Sequence, residues 1–338
     1  MRNILIYLFL PGILMMNGCA STGSNPPDWV NGNSDKYPPT KYLLGKGEDR
    51  YQAVARDRAR ADLAKIFQVR IQEQSEDSSK ASRQTQGDKT NLKLETSTSR
   101  NISTRTDQII SGIEIAETWQ DKNSKQFHVL AVLERMKAGN NLRDSINQLD
   151  DVTAEAIRRA RQSNNLLYKI GLANRTLQAQ LEREIYNTQL KIVDYSGRGL
   201  RSPYNIANLA SDRDALLKRM QIRTQVSADP LGGVADILNA SVSEAGFSPA
   251  SDDKAGYTLD ARLVLNETHD AQGWYWQRGT LEITLTETEN NQALGSKRWN
   301  IKESSQNQAV SKKRVLDKIE KILKAELRQA IIDFGTTK

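Results

Sequence analysis

The sequence predicts an α+β protein in which two small domains, each of helices layered on a sheet, are joined by a helical spacer. Three observations carry this. Residues 41–135 and 218–338 each mix apolar runs of period two with runs of period 3.6, the marks of strand and helix. Residues 136–195 show the helical period alone. Apolar residues make up 38% and aromatics 6% of the 338 residues. That balance suits small domains with polar connectors better than one large core.

The first element is not part of either domain. Arg2 leads into an apolar run from Ile4 to Met16, which ends in Asn17-Gly18-Cys19 and turns polar at Ala20. A cation, a short apolar core and small residues at the cut are the parts of a secretory signal, here residues 1–18. The core falls short of the ~20 apolar residues that span a bilayer. Cys19 is the one cysteine of the chain and stands where cleavage would leave it first. The arrangement resembles a bacterial lipoprotein signal, although Met16 and Asn17 depart from the preferred Leu and small residue. The resemblance implies lipidation of Cys19: a diacylglycerol on the thiol and a third chain, such as palmitate, on the freed amine. The competing reading is an ordinary cleaved signal with an incidental cysteine. With Cys19 acylated no thiol is left for a disulfide, a metal site or a nucleophile.

Residues 19–40 are rich in Ser, Asn, Gly and Pro and read as a flexible tether. The domain at 41–135 opens with a short strand, Lys41 to Gly47, closed by glycines. A helix follows from Tyr51 to Phe67, with Ala55, Ala59, Leu63 and Ile66 on one face. Those small side chains would let it lie close against a sheet. Val69 and Ile71 start a second strand, and Glu73 to Thr106 reads either as a polar β-ribbon turning near Gly87-Asp88 or as a disordered loop. A hairpin then joins Ile113–Gln120 to Gln126–Glu134.

From Met136 to Asp194 two apolar stripes run at near-heptad spacing, Ile146 to Ala160 and Ile170 to Ile192. Ser163-Asn164-Asn165 is the natural break, unless the segment is one long helix. The last domain starts with a strand at Gln221–Ser227. Asp229-Pro230 then supplies an N-cap and a first-turn proline for a helix ending at Gly246. Strands follow at Tyr257–Leu265, Leu281–Leu285 and Ala293–Ile301, and a helix from Val310 to Phe334 closes the chain.

Three groups of residues together resemble the LPP-twenty family of outer-membrane lipoproteins and the related N-terminal domain of FlgT-type flagellar proteins. They are Pro27-Asp28-Trp29-Val30, Tyr42 to Gly47 before the Ala53–Ile66 helix, and Glu117-Thr118-Trp119 with His128 to Leu133. The likeness spans Pro27 to Arg135. The last domain resembles LpoB- and CsgG-type envelope lipoprotein domains in its element order and in Ala255 to Ala261. These resemblances imply a periplasm-facing, non-catalytic envelope protein. Ala20 and Ser21 lack the aspartate that retains lipoproteins in the inner membrane, so the outer membrane is the expected location.

The chemistry-bearing residues are few. His128 and His269 are the two histidines, one in a strand and one in a turn. No catalytic triad motif, zinc-protease motif or nucleotide fingerprint appears, so no enzyme, cofactor or metal site is expected. Leu231-Gly232-Gly233 sits where a phosphate could bind, but a tight strand-to-helix turn accounts for it as well. Strand parity places Trp274 and Trp276 on the solvent side, the candidate partner contact. A bulge at Gly279 would reverse that and bury both. On the last helix Arg314, Lys318, Lys321 and Arg328 form a basic stripe. It is either a solvated face or a contact for peptidoglycan or lipid headgroups. Nucleic acid is not an expected partner of an exported chain.

The expectation is therefore an outer-membrane lipoprotein held to the membrane by its lipid. It would act as a scaffold or assembly factor for a flagellar or secretion apparatus through an envelope protein partner. The alternative is an LpoB-like regulator of peptidoglycan synthesis.

Overall fold

A computed structural model describes residues 25–32, 34–83, 112–251 and 253–336, with backbone placement alone at 68 and 70–83. Cys19, the expected signal and residues 84–106 of the expected ribbon lie outside the described residues. The contacts divide the chain into two compact units. One comprises residues up to Ser145 with Ile185–Leu200, and the other Ile146–Glu184 with Arg201–Lys338. The helices expected as a spacer are therefore shared between the two units. The fold is mixed α and β, as the residue patterns predict.

In the first unit a short helix α1 (Asp28–Asn31) precedes strand β1 (Tyr42–Asp49) and helix α2 (Gln52–Arg83). Strands β2 (Glu114–Gln120) and β3 (Phe127–Glu134) complete an antiparallel sheet of order β1-β3-β2. Helix α2 covers one face. Gly45 and Gly47 are where it comes closest: a Cβ on Gly45 would lie 2.4 Å from the Ala59 carbonyl oxygen, and one on Gly47 2.2 Å from that of Ala55. Glycine in the strand and alanine in the helix let the two backbones meet with no side chain between them. Ala55, Ala59, Leu63 and Phe67 are all fully buried.

The opposite face is covered by a segment expected to be tether. Trp29 is only 2% exposed and joins Trp119, Leu130 and Val132 in a separate core, with Tyr37, Tyr42 and Leu44 packed against it. The flexible-tether expectation is thus corrected from Asp28 onward. A large indole beside an open sheet face is more stable buried, since full burial of such a ring removes ~150–250 Å² from water. A second correction concerns Val69 and Ile71. They lie within α2, which runs to Arg83 without a break. Alternation over three residues is too short to overrule a helix that meets no Gly or Pro.

Helices α3 (Arg135–Gln162) and α4 (Leu166–Val193) follow, broken at Ser163-Asn164-Asn165. Asn165 caps α4 by accepting from the Tyr168 amide at 2.8 Å. In the second unit Arg183, 2% exposed, pairs with Asp150 at 2.8 Å, and Gln180 donates to both Asp150 and Thr153. Buried polar side chains are retained there because they satisfy one another.

Helix α5 (Ile206–Arg219) was not among the sequence expectations. Its start is marked by Asn205, whose side chain accepts from the Asn208 amide at 3.1 Å. The sheet of the second unit contains β4 (Gln221–Ala228), β5 (Ser248–Pro249), β6 (Tyr257–His269), β7 (Tyr275–Glu287) and β8 (Gln292–Ser305), in the order β5-β4-β6-β7-β8. β4 runs parallel to β5 and β6, while β6, β7 and β8 form an antiparallel meander. Helices α6 (Val234–Glu244) and α7 (Gln308–Phe334) pack on it. Leu259, Ala261, Leu263, Leu281, Ile283 and Leu285 meet Val234, Leu238, Val315, Ile319, Leu323 and Leu327 in one core.

The Asp229-Pro230 expectation is corrected. Helix α6 starts at Val234 after Gly233 in the left-handed region (φ 106°), so Pro230 is not in its first turn. Asp229 instead folds its carboxylate back onto the loop. It accepts from the amides of Leu231 (3.1 Å), Gly232 (2.9 Å) and Val234 (2.9 Å). The donors that could have cradled a phosphate already hold an internal anion.

Candidate functional site

The β6–β7 hairpin ends in a turn from His269 to Tyr275, and this turn carries the aromatic candidates. Asp270 organises it. Its Oδ1 accepts from the backbone amides of Gln272 (3.1 Å) and Trp274 (2.9 Å), and its Oδ2 from the indole Nε1–H of Trp276 (2.8 Å). Gly273 supplies the positive φ (82°) that closes the loop. The Trp276 indole, and then the Trp274 amide, hold the Asp270 carboxyl below the usual carboxylate range. One charged side chain thus holds the Trp276 indole and the Trp274 backbone.

The regular strand register that the parity argument assumed is present, and it leaves Trp274 exposed and Trp276 half-buried. Leu265 pairs with Gly279 and the register runs without interruption from Tyr257/Glu287 to His269/Tyr275, so Gly279 forms no bulge. Gly279 has a different purpose: a Cβ there would lie 1.8 Å from the Val264 carbonyl oxygen, a closeness only glycine permits. Gln277 points inward and is buried. Trp276, one residue earlier, lies on the opposite face. Trp274 remains 36% exposed. The Trp276 ring is flanked by two cations, Arg278 at 5.1 Å and Lys302 at 5.6 Å from its centroid. Arg278 and Lys302 are themselves register partners on β7 and β8. An aromatic face with cations at this range is held by the attraction of charge to the ring quadrupole.

On its inner side the hairpin is closed by a polar cluster. Gln277 donates to Glu267 and to Ser311 Oγ, and Gln308 donates to Glu267 at 2.5 Å. Hydrogen bonds from Gln277 and then Gln308 hold Glu267 below its ordinary value. The cluster clamps the hairpin to the first turn of α7. The cluster thereby ties the strands below the tip to α7.

The other candidates separate from this tip in different ways. His269 is exposed, with its ring 4.5 Å from that of Tyr275. His128 lies in β3 beside Trp119, with Nδ1 3.6 Å from Glu48. The two histidines fall in different units. The basic stripe of α7 is partly used up: Arg328 pairs with Asp214 of α5, and Arg314 donates to the Ser304 carbonyl at 2.5 Å. Lys318 and Lys321 stay exposed. Among the described residues no group of three His, Cys, Asp or Glu side chains could hold a metal ion. Among them, too, no helix is long and apolar enough to cross a membrane.

Two of the motifs behind the family resemblance meet in one network in the first unit. Trp29 donates through Nε1 to Glu117 Oε2 at 2.8 Å, Lys36 Nζ reaches Glu117 Oε1 at 2.6 Å, and Tyr37 OH donates to the same oxygen at 3.3 Å. Burial pushes the Glu117 carboxyl up, but the bonds from Lys36 and Trp29 outweigh it and hold the group below its ordinary value. The Pro27–Val30 and Glu117–Trp119 motifs thus mark two sides of one contact.

The chain resembles the secreted protein HP1454 from Helicobacter pylori, at 12% identity over 84% of this chain and 97% of that one, with a TM-score of 0.43. A minor lipoprotein from Acinetobacter baumannii is 12% identical over 32% of this chain and 93% of its own, with a TM-score of 0.27. Lipoprotein GNA1162 from Neisseria meningitidis is 13% identical over 30% of this chain and 96% of its own, with a TM-score of 0.22. No curated protein matches the chain significantly. The model of the LPP20 lipoprotein family matches residues 27–134, the stretch that holds the α1 segment, the close-packed β1 and α2, and the β2–β3 hairpin. Over those residues this chain is similar to the LPP20 lipoprotein family.

Proposed function

We propose that this chain is an outer-membrane lipoprotein, anchored by acyl chains on Cys19, that works by binding an envelope protein partner. In this reading it is a scaffold or assembly factor for an envelope structure such as a flagellar or secretion apparatus, and it carries out no catalysis. The observation that carries the reading is the hairpin tip, where Asp270 holds the Trp276 indole and the Trp274 backbone while the Trp274 side chain stays exposed. Pre-ordered aromatic side chains are the anchors that binding surfaces favour, because little rotamer freedom is lost on contact. The lipoprotein family match supports the anchor, and Ala20 and Ser21 after Cys19 support the outer membrane.

The test is site-specific crosslinking in cells from Gln272, an exposed neighbour of Trp274, followed by mass spectrometry. A defined envelope protein that is captured by the native tip and lost with Trp274→Ala, at unchanged melting temperature, is the expected result. Crosslinks that persist in the variant would overturn the role of the tip. A Cys19→Ser variant is expected to leave the membrane fraction on alkaline washing. Retention there would overturn the lipid anchor.

A further inference from the structure

The sheet of the second unit has one face that its helices leave open. Helices α6 and α7 pack on the side of Leu263 and Leu281. The alternate residues of β6, β7 and β8 point the other way, among them Arg262, Val264, Trp276, Arg278 and Lys302. Trp276 is half-buried, the three cations are exposed, and Val264 is 49% exposed. With rows ~7 Å apart along the strands and strands ~4.8 Å apart, these side chains spread over ~10 by 20 Å.

A face turned only to water needs no more than polar side chains, and this one is biased in charge. The carboxylates on the outer side of these strands are engaged, Glu282 with Arg298 at 3.0 Å and Asp260 with Ser227 Oγ at 2.8 Å. Arg262, Arg278 and Lys302 have no acidic partner among the described residues. Arg278 and Lys302 are moreover direct cross-strand partners, an arrangement that like charges disfavour. The Trp276 ring, which both cations approach, offsets part of that cost. The result is unneutralised positive charge beside an indole and a valine on a broad surface.

We propose that this face docks on an anionic phospholipid bilayer, with Arg262, Arg278 and Lys302 at headgroup phosphates and Trp276 and Val264 at the boundary with the acyl chains. Charge complementarity sets the sign of the partner. Spacing selects a bilayer over an acidic protein, because Arg262 stands ~14 Å from Arg278 on the strand lattice, with the neutral Val264 and Thr280 between them. Laterally mobile headgroups bring a phosphate to each cation wherever it stands, whereas carboxylates fixed on a protein must match the spacing. An indole whose N–H is already satisfied, here by Asp270, suits the boundary between water and hydrocarbon. The inference uses neither the acyl chains on Cys19 nor the Trp274 side chain, so it stands or falls apart from the proposed function.

The test uses the chain from residue 20 onward, which has no acyl group and, since Cys19 is the one cysteine of the sequence, no thiol. The probes are vesicles of phosphatidylcholine, vesicles of equal parts phosphatidylcholine and phosphatidylglycerol, and poly-L-glutamate. Cosedimentation is expected with the phosphatidylglycerol vesicles alone, and it should weaken as salt is raised. Each basic residue near an anionic surface contributes about fivefold to binding, so Arg278→Gln with Lys302→Gln should weaken it about twenty-fivefold. The melting temperature of that variant should be unchanged or raised, because two opposed like charges are gone. Lys318→Gln with Lys321→Gln removes the same charge from α7, across the sheet, and should leave binding unchanged. A polarity-sensitive dye on Asn300→Cys, an exposed position of the open face, should shift with the vesicles, and one on Lys318→Cys should not. The proposal is overturned by a failure to bind phosphatidylglycerol vesicles, by equal losses from the two double variants, or by a dye shift at residue 318 and none at 300. Binding of poly-L-glutamate as tight as that of the vesicles would also overturn it, and would assign the face to an acidic protein.

Discussion

Replacing Gly47 with alanine tests the close approach of β1 and α2. The added Cβ would fall 2.2 Å from the Ala55 carbonyl oxygen and 2.3 Å from the Ala59 amide nitrogen. Real Cβ atoms essentially never approach within 3.0 Å, so α2 must retreat by about 0.8 Å. Both obstructing atoms are backbone, and no rotamer change relieves them. Overpacking of this kind costs ~1–3 kcal/mol, which exceeds the ~0.4–1 kcal/mol that Gly→Ala ordinarily contributes by restricting the unfolded chain. Gly139→Ala in α3 is the paired control. Its closest neighbour is the far end of the flexible Arg143 side chain at 3.0 Å, and a helix-interior Gly→Ala should stabilise by ~0.5–1 kcal/mol. The same chemical change thus has opposite signs at two sites in one unit. Urea unfolding of the chain from residue 20 onward, followed by tryptophan fluorescence and circular dichroism, measures both. If Gly47→Ala proves neutral or stabilising, the helix does not lie on the glycine strand as described.

Other expected outcomes follow from the remaining contacts. Trp29→Ala should cost ~3–5 kcal/mol as a buried aromatic deletion, visible as a lowered unfolding midpoint; a loss under ~1 kcal/mol would mean that the segment before β1 is a tether after all. Because the Glu117 carboxyl is held below its ordinary value, its stabilising contribution is present above the unfolded carboxylate range near ~4.3. That contribution disappears as pH falls through the folded value. Glu117→Gln should therefore flatten the acid limb of a stability–pH curve and leave a smaller difference from the native chain at the lowest pH. Asp270→Asn should loosen the hairpin tip, seen as faster hydrogen exchange at the Trp274 amide. Gly233→Ala, at φ 106°, should destabilise the second unit by ~1 kcal/mol or more, detectable as a lower melting temperature.

Much of the second unit was legible because its strands alternate strictly and α7 repeats its apolar stripe over many turns. The Trp274/Trp276 face was legible for the same reason, since parity propagates along a strand whose register does not slip. The organising role of Asp270 was not, although an Asp three residues before Gly273 is a turn signal. Helix α5 was missed because Asn205 looked like any loop asparagine, although Leu209, Leu216 and Leu217 lie on the helix that it caps. Trp29 was misread because composition is averaged over a window, whereas one indole is enough to bury a segment. The stretch after Phe67 went wrong in the opposite way, with two β-branched residues outweighing the absence of any helix breaker.

The docking of Trp29 also shortens the leash on the protein. For a chain acylated at Cys19, only about ten residues separate the lipid from the first fixed side chain, a reach of at most ~35 Å when fully drawn out. Had the slack continued to Thr40, that radius would be about twice as large. An acyl anchor at Cys19 would accordingly keep the N-terminal unit in a thin shell next to the bilayer, and whatever it meets would have to come within that standoff.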